Sequence, residues 1–237
     1  MSCLSRIKYR IAVFGCTQTS SAAARAVQPA TKSSISLLCC LAVNRLFRSY
    51  MVAIVDPSKG LSYFSPYMYW HDVPRRIWKY NRHMKFVVLL RNPIDRAYSH
   101  WNMERARDVE SLAFGDAIRQ EQARCSLALP FQHRWYSYVD RGFYLAQIRR
   151  LWQFFPRSNV LVLKSEHLRE EPDNCLANVC DFLGVDRLPK VGHRVVHSLP
   201  YRSQMSEDDR SYLRNLYEYE IRGIERVFNW DCTDWLL

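Results

Sequence analysis

Arg91 and Ser99 stand eight residues apart in "KFVVLLRNPIDRAYSHW", residues 85 to 101. A guanidinium presents a planar fork of donors that matches phosphate oxygens, and a hydroxyl adds one more donor. The stretch R-N-P-I-D-R-A-Y-S therefore carries the residue types of an anion site in Arg91, Pro93, Arg96 and Ser99. A structural alternative pairs Arg91 with Asp95 and leaves Ser99 to cap a turn. Spacing alone leaves both readings open.

The elements that position these residues are legible. Lys85 to Leu90 is a short, valine-containing apolar run, as expected of a strand buried on both faces of a parallel sheet. Pro93 lacks a backbone donor and ends it. Ile94, Ala97, Tyr98 and Trp101 then recur at helical spacing. Arg91 thus falls at the carboxyl end of a strand and Ser99 in the helix that follows, the place where open α/β sheets take ligands.

Further elements alternate in the same way. Helices are expected over 71–81, 111–124 (Leu112, Phe114, Ala117 and Ile118 inward), 142–156, 173–184 with Gly184 closing it, and 206–228 with Ser206 as cap. A second buried strand is expected over 159–168, with Lys164 and Ser165 towards its carboxyl end. Strands alternating with helices predict an α/β fold with a central parallel sheet flanked by helices.

The 237 residues suffice for one large domain with a proper core, and 48% are hydrophobic. The longest apolar candidate, "ISLLCCLAV" at 35–43, is well short of the roughly 18 residues of a membrane span. The net charge of +11 is uneven. Residues 1 to 60 hold eight Lys or Arg against one acid, Asp56, whereas the rest hold 26 against 22. The body is only mildly basic and carries no recognised nucleic-acid motif, so a nucleic-acid partner is not expected. None of the eight cysteines forms a CxxC pair, and Cys175 and Cys180 read as buried thiols on a helix. His193 and His197 lack a third ligand, so no metal is implied. There is no G-x-x-x-x-G-K-[ST] segment, which argues against an ordinary nucleotide triphosphatase.

The chain divides at residue 55. Residues 1–55 are Ser- and Arg-rich and contain no Asp or Glu. Three readings stand: an organelle leader, a misassigned start, or a phosphate cradle. In the third, "RIAVFG" is a strand, "CTQTSS" a turn and "AAARAV" a helix start. Residues 56–237 form the α/β domain.

Taken together, these segments resemble the family of sulfotransferases that use 3'-phosphoadenosine-5'-phosphosulfate, especially its heparan-sulfate-type and bacterial members. "KFVVLLRNPIDRAYSHW" is similar to the family's 3'-phosphate element. "DRGFYLAQIRRLWQFFPRSNVLVLKSEHLREEP" (140–172) and "LPYRSQMSEDDRSYLRNLYEYEIRGIERVFNWD" (199–231) follow in family order. The resemblance implies a P-loop-like sulfotransferase fold and a sulfo transfer to a hydroxyl or amine on a carbohydrate or small molecule. It implies that Arg91 and Ser99 bind the donor's 3'-phosphate, with Tyr201 and Arg202 in a loop over the nucleotide. "SKGLSYF" (58–64) resembles a family stretch whose lysine lies near the transferred group, which gives Lys59 a catalytic role. The family's 5'-phosphosulfate loop, Lys-x-Gly-Thr-Thr, has only "GCTQTSS" (15–21) as counterpart, with Gln18 where the lysine is wanted and Thr19, Ser20 and Ser21 as remaining donors. A domain that binds the nucleotide or a polyanion without transferring is therefore the alternative. Compartment, acceptor and catalytic base are not legible.

Overall fold

The computed structural model describes residues 51–56, 60–64, 68–187, 201 and 203–237, the first two segments as backbone. Among the described residues four strands form one sheet in the order β2-β1-β3-β4: β1 (Met51–Asp56), β2 (Gly60–Phe64), β3 (Lys85–Leu90) and β4 (Val160–Lys164). β3 and β4 run parallel, with Leu90 opposite Lys164. β1 is antiparallel to both β2 and β3. The α/β class with parallel strands between helices is as expected, and the β1–β2 hairpin makes the sheet mixed.

The helices are α1 (Val73–Tyr80), α2 (Pro93–Ala106), α3 (Phe114–Arg119), α4 (Glu121–Ser126), α5 (Tyr144–Trp152), α6 (Ser165–Glu170), α7 (Pro172–Leu183) and α8 (Glu207–Phe228). Alternation along β3 divides its side chains between two layers. Phe86, Val88 and Leu90 join the main core with Ile94 and Ala97 of α2, Ile148 of α5, and Leu213 and Ile221 of α8. Val87 and Leu89 face the other way, onto Val179 and Cys175 of α7 and Leu168 of α6. A strand covered on both faces must be apolar throughout, which is why this run shows no polar alternation. Truncating fully buried Leu90 to alanine would cost about 2–5 kcal/mol.

Local signals set the helix ends. Asn92 caps α2 by accepting from the Ile94 amide at 2.9 Å, and Pro93 occupies the first turn. Ser206 caps α8, accepting from the Asp209 amide. Gly184 ends α7 with φ 73°, a conformation that costs glycine least. Cys175 and Cys180 are buried free thiols, as expected.

Two expectations need correction. The helix expected over 111–124 is two short helices meeting at Gln120, because buried Glu121 turns inward to accept the Val139 and Asp140 amides at 2.6 and 2.8 Å. Phe114, Ala117 and Ile118 are buried as expected, while Leu112 is only half-buried. The strand expected to reach residue 168 stops at Lys164, where the chain turns into α6.

Candidate functional site

Arg91 directly follows β3, so it sits at the carboxyl end of the parallel strand pair. Its backbone is braced from several elements. The Tyr144 hydroxyl, at the start of α5, donates to the Arg91 carbonyl at 2.9 Å. The neighbouring Asn92 side chain donates to the Trp235 carbonyl at 3.4 Å. The side chain is half-buried, and among the described residues no carboxylate lies within ion-pair distance of it. Asp95 faces Arg210 instead, at 3.4 Å. The Arg91–Asp95 alternative is therefore not realised.

Ser99 lies two turns into α2, half-buried, and its hydroxyl has no hydrogen-bond partner among the described residues. The adjoining Tyr98 does different work. Its ring belongs to the core, while its hydroxyl donates to the Ser203 carbonyl at 2.6 Å. The Tyr201 ring stacks on it at 5.4 Å between centroids. Tyr98 thus holds Tyr201 and Ser203 against α2. Arg91, Ser99 and Tyr201 are all carried by β3, α2 and this contact. Thr19, Ser20, Ser21, Lys59 and Arg202 lie outside the described residues. Gly60, which follows Lys59, pairs with Asp56 at the end of the hairpin level with the amino end of β3.

Arg96 points inward. It is 2% exposed and donates to the Tyr138 carbonyl, so it braces the core rather than the anion site. Lys164, level with Leu90, is also buried, held by Asp234 at 2.7 Å and the Asp231 carbonyl at 2.8 Å. Sequence spacing gives no hint of that pair, because the partner is 70 residues away.

Behind Ser99, α2 carries a buried polar layer that sequence reasoning missed. His100 is held well below the usual imidazole range by burial, with Arg141, Arg96 and Arg107 adding to the effect. It is therefore neutral, 3.7 Å from Glu104. Burial pushes the Glu121 carboxyl up to about 7, against the two amides it accepts. Among the described residues no cluster of three or more His, Cys, Asp or Glu is arranged to hold a metal, and no helix is long and apolar enough to cross a membrane.

The arrangement at the strand end is a braced backbone carrying a guanidinium with no carboxylate beside it among the described residues, and on the following helix a hydroxyl with no hydrogen-bond partner among them. That is the geometry of an anion site at the carboxyl end of a sheet. Comparison with known proteins identifies the family. The model of the "Sulfotransferase domain" family matches residues 28–219, most of the chain.

The chain belongs to the sulfotransferase family. It is similar to the bifunctional heparan sulfate N-deacetylase/N-sulfotransferase 1 of Xenopus laevis, with 31% identity over 130 residues, covering 54% of this chain and 14% of that protein. It is also similar to the human heparan sulfate glucosamine 3-O-sulfotransferase 6, with 28% identity over 142 residues, covering 60% of this chain and 40% of that protein. The matched region is thus well under half of either relative. A sulfotransferase structure from Alicyclobacillus acidocaldarius superimposes with a TM-score of 0.61 at 23% identity, covering 72% of this chain and 65% of that one, which shows the shared fold.

Proposed function

We propose that this sulfotransferase-family chain moves a sulfo group from 3'-phosphoadenosine-5'-phosphosulfate to a hydroxyl or amine of a carbohydrate or small metabolite. The observation that carries the reading is Arg91: a half-buried strand-end cation, braced through its carbonyl, with no carboxylate beside it among the described residues. Arg91 and Ser99 hold the 3'-phosphate, the first through a bidentate charge-assisted pair and the second through one hydrogen bond. Tyr201, held on Tyr98, and Arg202 close over the nucleotide from the other side. Thr19, Ser20 and Ser21 are the donors left to meet the 5'-phosphosulfate. The two heparan sulfate enzymes among the relatives support a carbohydrate acceptor.

The transfer is an in-line displacement. The acceptor oxygen or nitrogen bonds to sulfur as the bond from sulfur to the 5'-phosphate oxygen breaks, and negative charge builds on that bridging oxygen. The protein supplies position and positive charge rather than a covalent intermediate. Lys59 is the cation that the family resemblance assigns to this charge. Gln18 stands where the family has its loop lysine, and that substitution favours a second reading, in which the domain binds the nucleotide without transferring.

Transfer of labelled sulfate from the donor to a panel of sugars, amino sugars and phenols tests the proposal. Wild type transfers to at least one acceptor, and Lys59→Ala lowers turnover about 100- to 1000-fold with little change in nucleotide affinity. Nucleotide binding without any transfer would select the second reading. Full activity in Lys59→Ala would instead remove the lysine from the mechanism, in keeping with the far-end placement of Gly60.

A further inference from the structure

The opposite end of the sheet carries a second concentration of positive charge. From Val73 to Ile94 the chain has no acid and six Lys or Arg. Two of the six are already committed: Arg91 to the site above, and Lys85 to the Phe182 carbonyl at 2.6 Å. Arg75, Arg76 and Lys79 lie exposed along α1, and Arg82 follows just beyond its end. Among the described residues one carboxylate, Asp72, forms ion pairs with this row, 3.5 Å from Arg75 and 3.9 Å from Arg76, and it is itself 61% exposed. Arg75 and Lys79, four residues apart, share one helix face and lie about 6 Å apart along it, with Arg82 following past the helix end.

A neighbouring turn widens the patch. Asn159 donates to the Met84 carbonyl at 3.3 Å, which sets the Arg157–Asn159 turn beside the turn that ends α1. Each turn holds an arginine on an indole: Arg82 lies 4.3 Å from the Trp78 ring centre and Arg157 lies 4.4 Å from that of Trp152. Contact with the indole restricts each guanidinium, and both arginines stay exposed, so their donors can meet sulfate or carboxylate. The segment of 1–55 cannot neutralise this face, because it contains no acid.

We propose that Arg75, Lys79, Arg82 and Arg157 form a docking surface for an acidic polysaccharide chain, distinct from the 3'-phosphate site at Arg91 and Ser99. The partner class rests on the reading above of a carbohydrate acceptor. The indoles also point away from single-stranded nucleic acid, whose binding relies on aromatic faces open for base stacking; here both are covered by arginine. The surface would hold an extended acidic acceptor between transfers, raising its local concentration at the domain.

The test is a binding titration of a heparin-derived decasaccharide, with single-stranded RNA of equal charge as competitor and adenosine 3',5'-bisphosphate as the independent ligand. Wild type binds the decasaccharide in preference to the RNA. Arg75→Glu/Lys79→Glu weakens decasaccharide binding about tenfold or more and flattens its salt dependence. The same variant keeps its nucleotide affinity within about twofold, since neither residue is assigned to the nucleotide and exposed charges are screened. Arg82→Gln, which keeps the chain's fold and removes one stacked cation, gives a smaller loss in the same direction. Unchanged decasaccharide affinity in the double variant overturns the docking surface. RNA binding as tight as the decasaccharide overturns the choice of partner. Absence of nucleotide binding in wild type, with decasaccharide binding still lost in the double variant, would overturn the transferase reading and leave the surface standing.

Discussion

Two cations stand side by side at the carboxyl ends of β3 and β4, and the fold treats them oppositely. Lys164, opposite Leu90, is 5% exposed and tied to Asp234 and the Asp231 carbonyl. Arg91, one residue past Leu90, has its carbonyl tied down by Tyr144 while its guanidinium has no carboxylate among the described residues. The C-terminal turn, Thr233–Trp235, supplies Lys164 with its acid and gives the Arg91 side a carbonyl, that of Trp235 to Asn92. A strand-end cation on its own therefore says little. A strand-end cation whose backbone is braced, with no carboxylate beside it among the described residues, is the one we propose for a ligand.

The difference can be broken by substitution. Arg91→Ala should weaken adenosine 3',5'-bisphosphate by about 1.5–3 kcal/mol, the worth of a charge-assisted hydrogen bond, and leave thermal stability nearly unchanged. Calorimetric titration and a melting curve measure both halves. Glu121 sharpens the contrast, as a charge that the fold has spent on structure. Its pKa rises from 4.5 to about 7 on folding, so between those values the folded state holds a proton that the unfolded state has lost. Stability from this group therefore falls as pH rises, by about 2–3 kcal/mol between pH 5 and 8. His100 works the other way: its depressed pKa means that stability falls as pH drops below the unfolded value of 6.5. In wild type the two oppose each other below pH 6.5. Glu121→Gln should remove one side, so that chemical denaturation shows the variant gaining on wild type by about 2–3 kcal/mol from pH 5 to pH 8.

Lys164→Met should show the mirror image of Arg91→Ala. It costs about 1–2 kcal/mol of stability, with Asp234 half-exposed and able to solvate, and leaves nucleotide affinity unchanged. The smallest effect is expected at Tyr98→Phe. Loss of its bond to the Ser203 carbonyl removes about 0.5–1.5 kcal/mol and loosens the Tyr201 segment. Nucleotide affinity should then fall by a few-fold, read in the same titration.

Local signals made much of this legible. The apolar run of β3, the proline stop and the helical spacing of Ile94, Ala97, Tyr98 and Trp101 place Arg91 and Ser99 as found, because each rests on neighbours in sequence. Ser206 and Gly184 mark helix ends for the same reason. What could not be read depends on distant partners. The break at Gln120 follows from Glu121 reaching amides 18 and 19 residues on. The capture of Lys164 and the inward turn of Arg96 to Tyr138 likewise depend on chain folded back from elsewhere. Helical periodicity over 111–124 was sound for Phe114, Ala117 and Ile118 and blind to the carboxylate that interrupts it.

The most direct measurement compares adenosine 3',5'-bisphosphate with adenosine 5'-monophosphate by titration calorimetry, on wild type and on Arg91→Ala. The two ligands differ only in the 3'-phosphate that Arg91 and Ser99 are assigned to hold. Wild type should prefer the bisphosphate by about tenfold or more, and Arg91→Ala should lose most of that preference while binding the monophosphate as before. Equal affinity of wild type for the two nucleotides, or a preference that survives in Arg91→Ala, would contradict the assignment of this strand end as the phosphate site.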